Sequence, residues 1–171
     1  MKKTILLLSF ILLTIAAQAQ KGMKTLFAEH IFTGTEGTKK SLADIIKVHE
    51  GKVIYIDFWA SWCMPCRSEM PHSIDLHERM KGQDIVFIYL SIDANDKEAA
   101  WKSSMEKLKI SNVGEHWRRD SEEVKELMKF LYIYSIPHYL IVGKEGQVVN
   151  RDALPPSDPR VERQLKKLLK N

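Results

Sequence analysis

The stretch Lys52-Val53-Ile54-Tyr55-Ile56-Asp57-Phe58-Trp59-Ala60-Ser61-Trp62-Cys63-Met64-Pro65-Cys66 decides how this chain is read. From Val53 to Trp59 it is β-branched or aromatic with a single acid, the composition of a strand covered on both faces. A helical stretch follows from about Cys63 to Lys81, with Gly82 as its stop signal. A second apolar strand, Ile85 to Ile92, comes directly after. Strand, helix and strand with short connections make a βαβ unit with parallel strands. Both cysteines of the chain therefore fall where the central strand gives way to the first turn of a helix.

That placement has chemical consequences. The first helical turn offers unpaired N–H groups and the positive end of the helix dipole. A thiolate at Cys63 is stabilised there, and its pKa falls below the free value of about 8.5. Cys66, one turn deeper, is expected to be buried and protonated. Two thiols three residues apart on one turn can close a small disulfide ring. A passive staple is the poorer reading, because so small a ring constrains little of the unfolded chain. A zinc site needs four ligands, and only two thiols are present. His72 and His77 point to different faces of one helix, and His30, His49 and His116 are scattered, so each is read as a surface or loop residue.

Further out, the α/β alternation continues with no repeat, low-complexity tract or Pro/Gly-rich linker. Phe27 to Phe32 is expected as a strand, Gly34 to Lys40 as a turn, and Leu42 to Ile46 as a helical turn. A helix is expected from Lys97 to Lys109, and another through Leu131 starting at an Asp120/Glu123 capping box. Tyr139 to Val142 and Gln147 to Asn150 form a hairpin, and a last helix starts at Asp158 and Pro159.

With 171 residues, 44% hydrophobic content and a formal net charge of +4, the chain is neither disordered nor a small disulfide scaffold. Lys2 and Lys3, the apolar run Ile5 to Ala17 and Ala17-Gln18-Ala19 have the form of a signal peptide over residues 1–19. Residues 20–171 would then be a single exported domain. Cleavage removes two lysines and no acid and lowers the net charge to +2, which argues against nucleic-acid and membrane partners.

Asp57 to Cys66, continued by Arg67-Ser68-Glu69-Met70-Pro71, resembles the active-site region of the thioredoxin superfamily, in its exported TlpA/ResA-like branch. The resemblance spans roughly residues 25–170. It implies a thioredoxin-like α/β fold, a central mixed β-sheet flanked by helices. Cys63 would be the attacking thiolate and Cys66 the resolving thiol, joined as a redox disulfide when oxidised. Asp57 matches the buried acid that relays a proton to or from Cys66, work suited to a carboxyl whose pKa burial has raised. Pro71 matches a helix-kinking proline. Ile136-Pro137 matches the family's cis-proline, which exposes backbone for substrate to pair with. Trp62, Met64, Pro65, Ile136 and Pro137 would thus form the substrate-binding surface. Arg67 and Glu69 are read as solvated charges.

His138 follows where many relatives carry threonine, and it is read either as an imidazole beside the thiols or as a residue facing away. Residues 92–137 form an insert holding Trp101, Trp117, Arg118 and Arg119, a candidate determinant of partner choice. The resemblance implies an extracytoplasmic thiol-disulfide oxidoreductase without metal or organic cofactor, acting on exported proteins. Met64-Pro65 offers no histidine and one fewer N–H, which favours a reductant of the cytochrome c maturation kind, fed by a membrane electron donor. Two alternatives stand beside it: an oxidant or isomerase on the same scaffold, and a copper- or haem-handling thiol protein using His138.

Overall fold

The computed structural model describes residues 27–122 and 124–170. The signal-peptide reading of residues 1–19 lies outside them, as does Glu123 of the expected capping box.

The central strand forms as its composition requires. All seven residues of β3 (Val53–Trp59) are buried. Their side chains alternate between two cores, as a strand of period two covered on both faces must. Val53, Tyr55 and Trp59 enter one core with Cys63, Cys66, Met70 and Leu76. Ile54, Ile56 and Phe58 enter the other with Leu42, Ile45 and Leu127. Truncating a side chain such as Phe58, fully buried, to alanine costs about 3–5 kcal/mol. Asp57 alternates with Tyr55 and Trp59 and so lies on the face that carries the cysteines.

Around β3 the sheet runs β2-β1-β5-β4-β3-β6-β7. β1 is Ile31–Gly34, β2 Lys39–Ser41, β4 Ile85–Ser91, β5 Glu115–Arg119, β6 His138–Val142 and β7 Val148–Asn150. β3, β4 and β5 are parallel, and the other pairings are antiparallel, so the sheet is mixed. Helices α2 (Met64–Arg79), α3 (Glu98–Lys107) and α5 (Val161–Leu169) pack on the cysteine face. Helices α1 (Leu42–Lys47) and α4 (Val124–Phe130) cover the other. No described helix is long and apolar enough to cross a membrane.

Several local expectations are corrected. Residues 27–29 are helical and β1 starts only at Ile31, so Phe27 to Phe32 is not one strand. Asp158 does not cap α5, because it accepts from the backbone N–H and guanidinium of Arg160 and the helix starts at Val161. The Asp120 carboxylate accepts from Thr33 Oγ1 at 2.9 Å and Lys39 Nζ at 2.8 Å, fastening the β1–β2 hairpin.

The insert contains a strand, β5, that sequence reading left out. Trp101, Trp117, Arg118 and Arg119 are buried and belong to the core, so they are not a partner surface. Arg118 donates to the Ala94 carbonyl and Asn95 Oδ1, and Arg119 donates to the Asp93 carbonyl and pairs with Glu122 at 2.6 Å. Gly114 leads into β5 with φ +72°, and a Cβ there would run into the Phe87 carbonyl oxygen. Only glycine satisfies both conditions.

Candidate active site

The site begins where β3 ends. The Cys63 N–H donates to the Ala60 carbonyl at 3.1 Å, and the Ile92 N–H to the Trp59 carbonyl at 2.9 Å. Between these bonds, Ser61 is fastened from below by Asp93. The Ser61 N–H and Oγ donate to the two Asp93 oxygens at 2.8 and 2.7 Å, and Ser91 Oγ donates to the same carboxyl at 2.7 Å. Asp93 is fully buried. It holds the turn that presents Cys63, and no sequence motif announces it.

Cys63 is the N-cap of α2, and its Sγ accepts from the Cys66 N–H at 3.2 Å. An N–H aimed at sulfur, at the positive end of a helix, favours negative charge on that sulfur. Pro65 lies in the first turn, where its missing N–H costs nothing. Cys63 and Cys66 form a disulfide with Cα atoms 5.3 Å apart. Cys66 is fully enclosed and Cys63 is 5% exposed, whereas Trp62 and Met64 beside it are more than 60% exposed. Pro71 sits inside α2 two turns after Cys63, and the helix runs on to Arg79.

Asp57 is 1% exposed, and neither carboxylate oxygen has a hydrogen-bond partner among the described residues. Burial, followed by the negative charge of Glu69, raises its pKa well above the ordinary carboxylate range. Its cross-strand neighbours are Tyr89 on β4 and Tyr139 on β6. Both phenols are pushed far up by burial and by the Asp57 charge; at Tyr89 a Ser73 hydrogen bond partly offsets the rise. The Tyr55 ring stacks on Tyr139, and its hydroxyl donates to the Leu154 carbonyl at 2.7 Å.

Glu69 is not the solvated charge that sequence reading made it. It accepts from the Ser157 N–H at 3.0 Å and the Ser157 hydroxyl at 2.8 Å. The signal in the sequence was its spacing: three residues after Cys66, it lies one turn further along the same face. Arg67 rests Nη1 on the Met64 sulfur at 3.7 Å.

The Ile136–Pro137 bond is cis, and Ile136 packs against the cluster that holds both cysteines. His138 Nε2 is 2.6 Å from the Arg151 carbonyl oxygen, so its ring is engaged by the neighbouring strand end. His116 is buried within β5, against its reading as a surface or loop residue, and His30 is a loop residue but a buried one. His116 bonds the Ile110 carbonyl and stacks on Tyr89, and burial lowers its pKa. His49 is largely enclosed, 2.8 Å from Glu115. Among the described residues no three His, Cys, Asp or Glu side chains gather as a metal site.

The chain is similar to known proteins in sequence and in fold. The sequence profile of a family described as thioredoxin-like matches residues 51–148. Thiol-disulfide oxidoreductase ResA of Bacillus anthracis is 25% identical over 138 residues, covering 81% of this chain and 73% of its own. A Bacteroides vulgatus protein assigned as a thiol-disulfide oxidoreductase is 30% identical in its solution structure, with a TM-score of 0.69. That match covers 84% of this chain and 88% of the other. The thioredoxin domain of another Bacteroides vulgatus thiol-disulfide oxidoreductase shares the fold at 23% identity, with a TM-score of 0.68 and 84% and 95% coverage.

Proposed function

The chain belongs to the thioredoxin-like family and is a thiol-disulfide oxidoreductase; on that premise we propose that it works outside the cytoplasmic membrane, reducing disulfides of exported proteins. The observation that carries the reading is the Cys63–Cys66 pair capping α2 above an unpaired, buried Asp57.

The reduced protein starts the cycle. The Cys63 thiolate attacks one sulfur of a substrate disulfide; a Cys63–substrate disulfide forms and the other substrate sulfur leaves and takes a proton. Cys66 then gives its proton to the Asp57 carboxylate and attacks the Cys63 sulfur. The Cys63–Cys66 disulfide forms, the second substrate thiol departs, and two electrons have passed to substrate. A carboxyl whose pKa is raised by burial accepts that proton near neutral pH more readily than a solvated one would. Trp62, Met64, Pro65, Ile136 and Pro137 supply the surface on which substrate lies, with backbone beside the cis bond open for strand-like pairing.

The leader-like residues 1–19 support export. Met64-Pro65 between the thiols supports the reductive direction, since it adds no cation and removes one N–H that would stabilise the thiolate further. A reductant in that place is recharged by a dithiol donor in the membrane, and preparation of cysteines for cytochrome c maturation is a process it would serve. For the copper- or haem-handling alternative His138 would offer Nδ1, since Nε2 is held at the Arg151 carbonyl.

The reduction potential of residues 20–171, measured by thiol trapping in glutathione or dithiothreitol buffers, tests the direction. A value near about −270 mV fits a reductant, and one near about −120 mV would make the protein an oxidant.

A further inference from the structure

Exposed apolar side chains occur in two segments that carry or lead into the motifs of the site. One is Trp62 and Met64; the other is Phe130, Tyr132 and Tyr134, on the stretch that runs into the cis bond before Pro137. Each segment carries an arginine. Arg67 lies on the Met64 sulfur, and the Arg151 guanidinium stands over both Phe130 and Tyr132, 5.6 and 5.5 Å from their ring centroids. Arg151 is also tied to the residue after Pro137, because its carbonyl oxygen is 2.6 Å from His138 Nε2.

These two arginines differ from most others in the protein. Arg79 pairs with Glu162, Arg118 with Glu98, Arg119 with Glu122 and Arg160 with Asp158. Arg67 and Arg151 have no acidic partner among the described residues, and Asp152, next to Arg151 in sequence, makes no ion pair with it. A guanidinium held over aromatic rings and without an acidic partner keeps N–H donors to offer a carboxylate.

Resting on the proposed reduction of protein disulfides, we propose that Arg151, seconded by Arg67, selects substrate segments carrying a carboxylate beside the reacting cysteine. The apolar side chains supply contact area, and the unpaired cations supply the sign of charge.

The test uses reduced protein and three synthetic peptides, each closed by one disulfide and identical except for Glu, Gln or Lys flanking the cysteines. Second-order rate constants for peptide reduction are followed by tryptophan fluorescence. The Glu peptide is expected to react about fivefold faster than the Lys peptide at low salt, as partly exposed ion pairs allow. The preference shrinks toward unity in about 0.5 M salt, where the screening length is only a few ångströms. Arg151→Glu inverts the order, Arg67→Glu moves it less in the same direction, and Arg151→Lys keeps it. Arg151→Gln, which disturbs the aromatic stack without adding an acid, brings the ratio to about one. An unchanged ratio in Arg151→Glu and Arg151→Gln, or a wild-type preference for the Lys peptide, overturns the inference while leaving reduction of disulfides intact. Failure of the wild type to reduce any of the three peptides overturns the functional reading and this inference together.

Discussion

Two carboxyl groups lie buried near the C-terminal ends of neighbouring parallel strands, Asp57 on β3 and Asp93 just after β4. Asp93 accepts three hydrogen bonds, from the Ser61 N–H, Ser61 Oγ and Ser91 Oγ. Asp57 has none among the described residues. A buried acid surrounded by donors fixes the backbone around it, and removing it leaves those donors stranded. A buried acid without donors contributes nothing to the scaffold as an anion, is expensive to ionise, and is therefore suited to carrying a proton. The same residue type, about equally enclosed, thus serves architecture in one place and chemistry in the other.

The largest effect is expected from breaking the scaffold half. Asp93→Ala strands the Ser61 N–H and two hydroxyls, and should cost about 3 kcal/mol, read from urea unfolding of the oxidised protein. Asp57→Asn or Asp57→Leu should cost far less, or stabilise the fold, because an unpaired buried carboxyl is removed. Equal losses at both positions would erase the distinction.

Kinetics should show the reverse ranking. Asp57→Asn is expected to slow resolution of the mixed disulfide at neutral pH by about 100-fold, the scale of a lost general base. Stopped-flow measurement with a disulfide peptide separates this step from the initial attack by Cys63, which should change little.

The smallest effect, and the sharpest in sign, is in pH dependence. The pKa of Asp57 is raised in the folded state. Above the unfolded value of about 4 and up to the raised folded value, the folded protein therefore holds the extra proton. Stability conferred by that proton is present below about pH 4 and is lost as pH rises through the folded pKa. Urea midpoints of the oxidised protein should carry this downward component, and Asp57→Asn should remove it. Identical profiles for the two proteins would contradict the burial argument.

How much of this was open to reading from sequence follows from where the forces act. β3, α2 and β4 were legible because their signals are local: two continuous apolar runs of β-branched and aromatic residues, with a helical stretch between them ended by a glycine. Asp57 was singled out only through the family resemblance, whereas the position of the cysteines was legible from that unit. β5 was not, since Glu115-His116-Trp117-Arg118-Arg119 has one apolar residue and its arginines are buried only through groups distant in sequence, such as Ala94 and Asn95. Asp93 gave no signal for the same reason: its partner Ser61 is 32 residues away. Glu69 was misread because Ser157, 88 residues on, supplies its donors. The capping signal at Asp158 misled because a cationic partner, Arg160, claims that carboxylate.

The central claim is that Cys63 attacks and Cys66 resolves. The direct measurement is mass spectrometry of reduced Cys66→Ser after mixing with a disulfide-bonded exported protein. The account predicts a stable mixed disulfide at Cys63, absent from the wild type and from Cys63→Ser. Turnover of the substrate by Cys63→Ser at the wild-type rate, with no Cys63-linked adduct in Cys66→Ser, would contradict it.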